Sequence, residues 1–177
     1  MQARAGGTKS MSSISYVLLT ALAIALLIAA FTDIRRRQID NWLNAGIALG
    51  APVFWWASGM ALWPDLAWQL LFAAIASAVL IGIAFIGYKI NVVILGGGDV
   101  KLLGALALWF TPFAYMQMLL VMGVIGGVMA VGFVVRRVVF KPKSPGYLPY
   151  GVAISFGGLW VLALNYLPVG AIAAQAA

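Results

Sequence analysis

Four aspartates are the whole supply of carboxylates in this chain of 177 residues: Asp33, Asp40, Asp65 and Asp99, with no glutamate, histidine or cysteine. Acid–base chemistry here must therefore run on aspartate, lysine or tyrosine. Two of the four stand at the edge of long apolar runs. Asp33 closes the first run in Phe31-Thr32-Asp33-Ile34-Arg35-Arg36-Arg37, and Asp99 follows three glycines in Gly96-Gly97-Gly98-Asp99-Val100-Lys101. An acid at the mouth of an apolar segment is costly to desolvate unless it is paired or solvated. Two such acids brought together can hydrolyse a peptide unaided. The ionised one takes a proton from water; the protonated one hydrogen-bonds the scissile carbonyl and later serves the leaving nitrogen. Close carboxylates do not both ionise cheaply, so the pair shares a proton. Gly96 and Gly98 would let an extended substrate backbone approach, and Lys101 is placed to support the site or to anchor the helix at the interface. Asp65, after Pro64, reads as a solvated turn acid or helix cap.

The elements that must carry these acids are membrane helices. The chain is 64% hydrophobic and 8% charged, with a mean hydropathy of +1.05. That composition leaves room for about six helices in one all-α, polytopic domain over residues 14–177, behind a disordered segment 1–13. Missing cysteine and histidine exclude disulfides and thiolate or imidazole metal sites, and no cofactor is implied. The formal charge of +7 comes from short Lys/Arg clusters beside apolar runs, the pattern of topology signals and anionic-lipid contact rather than of nucleic-acid binding.

In chain order the spacing predicts a first helix, retained rather than cleaved, with its apolar core at 14–31. A second runs from about Trp42 to Trp63 or Pro64 through Pro52, and a third over about 66–87. The 34 uncharged residues from Leu102 to Val135 are too many for one crossing. They must fold back at Thr111-Pro112 into a short helix of about 100–110 and a longer one of about 115–135. A sixth starts near Leu148-Pro149-Tyr150-Gly151. The 33–41, 88–101 and 136–147 connections then share one side and carry nine of the eleven Lys and Arg residues; Arg4 and Lys9 lie opposite. By the positive-inside rule that side is cytoplasmic, both termini face out, and Asp33 and Asp99 meet the cytoplasm.

Asp33-Ile34-Arg35-Arg36-Arg37-Gln38-Ile39-Asp40-Asn41-Trp42-Leu43 resembles the first-aspartate segment of type IV prepilin peptidases, closest to the short form serving Tad/Flp-type pili. Gly96-Gly97-Gly98-Asp99-Val100-Lys101-Leu102 resembles that family's GxGD element, and Leu148-Pro149-Tyr150-Gly151-Val152-Ala153 the start of its last helix. The resemblance spans about residues 14–167. It implies an inner-membrane aspartyl endopeptidase with Asp33 and Asp99 as its catalytic pair. Its substrate would be a prepilin or pseudopilin whose basic leader stays cytoplasmic. Asp40 stands where the family has proline, adding a third acid near the site. The cysteine-rich segment of the long forms is missing, so methylation of the new N-terminus is not implied.

Two readings from other classes start from the same residues: a small transporter with Asp33 and Asp99 as ion or proton sites, and a non-enzymatic pilus or secretion assembly protein. The first needs a polar path or an inverted repeat; the second needs no acids. Within an aspartyl pair, helix-end electrostatics assign the charge to Asp99, at a helix start, and the proton to Asp33, at a helix end.

Overall fold

The computed structural model describes residues 12–91, 95–140 and 149–166. Among these the protein is all-helical: α1 (Ser13–Arg36), α2 (Asn41–Ala57), α3 (Ala67–Lys89), α4 (Gly97–Ala107), α5 (Pro112–Phe140) and α6 (Tyr150–Tyr166), with a kinked turn at Leu62–Leu66 leading into α3. Three stretches, Ser13–Arg36, Leu62–Lys89 and Pro112–Val139, are long and apolar enough to cross a bilayer, and α6 is a shorter apolar helix. The chain is a polytopic membrane protein. Apolar residues left on its outer faces, such as Leu120, Val124, Val128 and Val131 along α5, are exposed, as a lipid-facing stripe should be.

About six helices were expected, and the described residues hold six with shifted boundaries. Ser12 and Ser13 belong to the ordered chain: the Ser12 hydroxyl accepts the Ser15 N–H and caps α1. That leaves residues 1–11 of the expected disordered segment outside the described residues. At its other end α1 runs past Thr32 to Arg36 and carries Asp33 in its last turn. The second helix stops at Ala57 instead of Trp63, because Ser58 and Gly59, the latter at φ 66°, turn the chain ahead of Pro64. Pro112 opens α5 from its first position, where a missing N–H costs nothing. Gly97 and Gly98 form the first turn of α4 and not a loose loop.

The buried residues of α1 are Ser15, Leu19, Leu22, Leu26, Ala29 and Asp33, a stripe repeating every three or four residues. Asp33 continues the apolar face of its helix, which is why it ends up inside. On that face α6 packs against α1, and α5 packs on the other side of α6. The short α4 touches α2, α3, α5 and α6, and Leu102, Leu103 and Leu106 are fully enclosed.

With eleven residues, α4 rises about 16 Å, half the apolar thickness of a bilayer. Its C-terminal carbonyls therefore end inside the protein, away from water. Side chains from other helices satisfy them. Gln69 of α3 donates its amide to the carbonyls of Ala107 and Phe110, at 2.8 and 2.9 Å. Trp55 of α2 donates to Leu108 at 3.0 Å, and the Tyr115 hydroxyl of α5 donates to Leu103 at 3.2 Å. Trp109 returns the favour to α2, donating to the Ile47 carbonyl at 2.8 Å. Non-spanning helices are tolerated at membrane depth only when their ends are met in this way.

Candidate active site

Asp33 lies in the last turn of α1, 6% exposed. The turn ends at Arg37, whose left-handed backbone (φ 54°) closes the helix with an N–H bond to the Asp33 carbonyl, 2.9 Å long. The side chain turns toward the start of α6. Its Oδ2 lies where a Cβ on Gly151 would stand, 2.8 Å away, and the backbone N–H groups of Gly151 and Val152 face the carboxylate. Only a residue without a side chain at 151 admits the acid there.

Asp99 occupies the first turn of α4, and its Oδ2 accepts the N–H of Gly96 at 3.2 Å. That bond closes the helix start back on itself and fixes the carboxylate. The Gly98 Cα faces Ile39, whose Cβ and backbone N would be 3.4 and 3.5 Å from an added Cβ, so the glycine lets α4 start directly beneath the α1–α2 connection. Asp99 thus lies at the end of the bundle where α1 stops and α2 begins, while the far end of α4 stops inside the protein. Burial, then the neighbouring Asp33 charge, raises its carboxyl to about 6, against the opposing pull of the Gly96 N–H.

A cavity of about 390 Å³ joins these parts, lined by Asp33, Arg37, Gln38, Ile39, Asp40, Asn41, Gly96, Gly97, Gly98 and Asp99. Residues some 66 positions apart thus share one hollow at one end of the bundle. Asp40 is there too: it precedes α2 at the capping position, yet its side chain makes no cap bond. The three acids do not converge on a metal-sized cluster among the described residues. Lys101 is not part of the lining. It is exposed and donates to the Asn41 Oδ1 at 2.8 Å, tying α4 to the first turn of α2. Asp65 is remote, in a separate cavity of about 790 Å³ beside Thr111 and Pro112, at the other end of α4.

Two features escaped the sequence. Gly151 was legible only as part of a helix start, although a glycine after Pro149-Tyr150 hinted at a close approach. The expected contrast in helix-end electrostatics is also absent. Asp33 sits on the last turn of α1 but points its carboxylate at the N-terminal end of α6, so both acids face helix N-termini.

Residues 20–131 match the type IV leader peptidase family. The match takes in Asp33, the glycine turn and Asp99, and stops short of Gly151. No curated protein and no solved structure matches the chain. A match over nearly two thirds of the sequence is decisive for ancestry, and this membrane-embedded chain belongs to the type IV leader peptidases, aspartic-type peptidases that act on prepilins.

Proposed function

We propose that the chain removes the basic leader of Flp-type prepilins at the cytoplasmic face of the inner membrane, with Asp33 and Asp99 as the catalytic pair. The observation that carries this reading is their convergence on one cavity: each acid is positioned by a different helix, and burial, then the Asp33 charge, raises the Asp99 carboxyl. A shared proton is what that coupling produces. One acid then activates water while the other donates to the scissile carbonyl, and the roles exchange as the amine leaves. Gly96, Gly97 and Gly98 all line the cavity, and at Gly97, where an added Cβ would meet nothing, the backbone is open to an extended substrate chain. Arg37, which lines the cavity, and Arg35 and Arg36 just before it are exposed, and agree with a cytoplasmic site under the positive-inside rule.

The test is co-expression with a Flp-type prepilin, following leader removal by a mobility shift. Wild type should process it; Asp33→Asn and Asp99→Asn should each accumulate in the membrane and leave it uncut, while Asp65→Asn should process normally. Cleavage by either of the first two variants would remove the aspartyl mechanism. Processing of other prepilins with this one left intact would keep the enzyme class and reject the Flp assignment.

A further inference from the structure

The catalytic reading leaves buried polar atoms with no hydrogen-bond partner among the described residues, including Ser155 Oγ and Asp33 Oδ2, which the Gly151 and Val152 N–H groups face without closing a bond of good geometry to it. Ser155 is 1% exposed, and an unmet hydroxyl at that depth calls for an explanation. A hydroxyl on a helix usually donates to a carbonyl one turn back. Thr20 does so to Tyr16 and Thr32 to Ala29, but Ser155 does not use its own helix.

The register of α6 on α1 shows where it sits. A Cβ on Gly151 would stand 2.8 Å from Asp33 Oδ2, and one on Gly158 would stand 2.8 Å from Leu26 Cδ1. Ser155 lies four residues after the first and three before the second, on the same face of α6. The α1 residue midway between Asp33 and Leu26 is Ala29, fully buried and small. Helical side chains lean toward the N-terminus of their helix. Ser155 therefore leans into the turn begun by Gly151, which has no side chain and holds Asp33 Oδ2.

We infer that Ser155 is a positioning residue for Asp33, its hydroxyl meeting the inner carboxylate oxygen by a turn of its own rotamer or across one water. The bond holds the carboxyl plane so that the other oxygen addresses the cavity. This rests on the reading of Asp33 as catalytic. The charged groups that share the cavity with Asp33 are Asp99 from α4, Asp40 before α2 and Arg37 after α1; α6 contributes none from Tyr150 to Tyr166.

Purified full-length wild type, Ser155→Ala, Ser155→Thr and Asp33→Asn should be compared on a prepilin substrate across the active pH range. A donor to a carboxylate favours its ionised form, so losing it makes the pair hold its proton to higher pH. The Ser155→Ala profile should move up by about half a pH unit, with kcat down about fivefold and KM unchanged. Ser155→Thr, which keeps the hydroxyl, should restore the wild-type profile. A serine with a packing role alone predicts the opposite: Ser155→Ala folds at least as well and keeps both kcat and profile. An unmoved Ser155→Ala profile overturns the inference whatever the threonine variant does. If Asp33→Asn is inactive in that case, the aspartyl reading survives without Ser155; if Asp33→Asn cleaves, the reading beneath it has failed.

Discussion

Alanine at position 151 would put a methyl group 2.8 Å from Asp33 Oδ2 and 2.9 Å from its Cγ, closer than packed atoms allow. The carboxylate has to swing away, because α6 is held by α1 and α5 on either side. Misplacing a catalytic group by about 1 Å costs on the order of a hundredfold in rate, so Gly151→Ala should cut processing by about that factor while still reaching the membrane. Near-normal turnover would show that Asp33 does not need this seat. The second acid gives a pH signature. An aspartate raised to about 6 binds its proton in the folded protein over a range where the unfolded chain has released it. Stability therefore falls as pH rises from about 4 to about 6. Thermal melting of the solubilised protein should show that decline, and Asp99→Asn should flatten it. Equal slopes in the two proteins would mean that Asp99 is not held in this environment.

At the scale of elements, α4 is the unusual piece, a half-depth helix whose end is closed by its neighbours. Gln69→Leu keeps the size of the side chain and removes both donors, stranding the carbonyls of Ala107 and Phe110. Each buried acceptor left unmet costs about 1–3 kcal/mol, so the melting temperature should fall clearly. Gln117→Leu is the control, since its contact with Asn165 lies at the exposed surface and should matter little. Comparable losses in the two variants would deny α4 its dependence on Gln69. The length of α4 was legible, because the uncharged run from 102 to 135 had to fold back and Thr111-Pro112 marked the place. Asp33 could be found because it stands at the end of an apolar run beside three arginines, a local signal. The cap by Gln69, the Ala57 end of α2 and the seat at Gly151 were not legible. The first and last depend on which helix lies beside which, and hydrophobic spacing along one helix carries no information about its neighbour. The α2 end rests on the Ser58-Gly59 turn, which the apolar run continuing to Trp63 outweighed.

Over the whole molecule, the helix ends sort into two sets. The Ser12 hydroxyl donates to the Ala57 carbonyl at 2.9 Å, so the start of α1 and the end of α2 share an end. Gly151 meets Asp33, and Lys101 meets Asn41, so the end of α1 and the starts of α2, α4 and α6 share the other. The backbone of Met118 lies against Gly157, and Tyr150 lies against Gly126, which makes α5 antiparallel to α6 and brings Arg136 and Arg137 to the cavity end. Basic residues thus gather at the end that holds both acids, independently of which compartment that end faces. Lys/Arg bias sets orientation through short loops, which is the ground for the proposed cytoplasmic placement of the cavity end. Reporter fusions after Trp63 and after Pro168 should then report an extracytoplasmic position, and a fusion after Lys143 a cytoplasmic one. A cytoplasmic signal at Trp63 would invert the molecule and present Asp33 and Asp99 to the outside. A leader held in the cytoplasm by its own positive charge would then never reach them, and the proposed substrate would fail even with the catalytic pair intact.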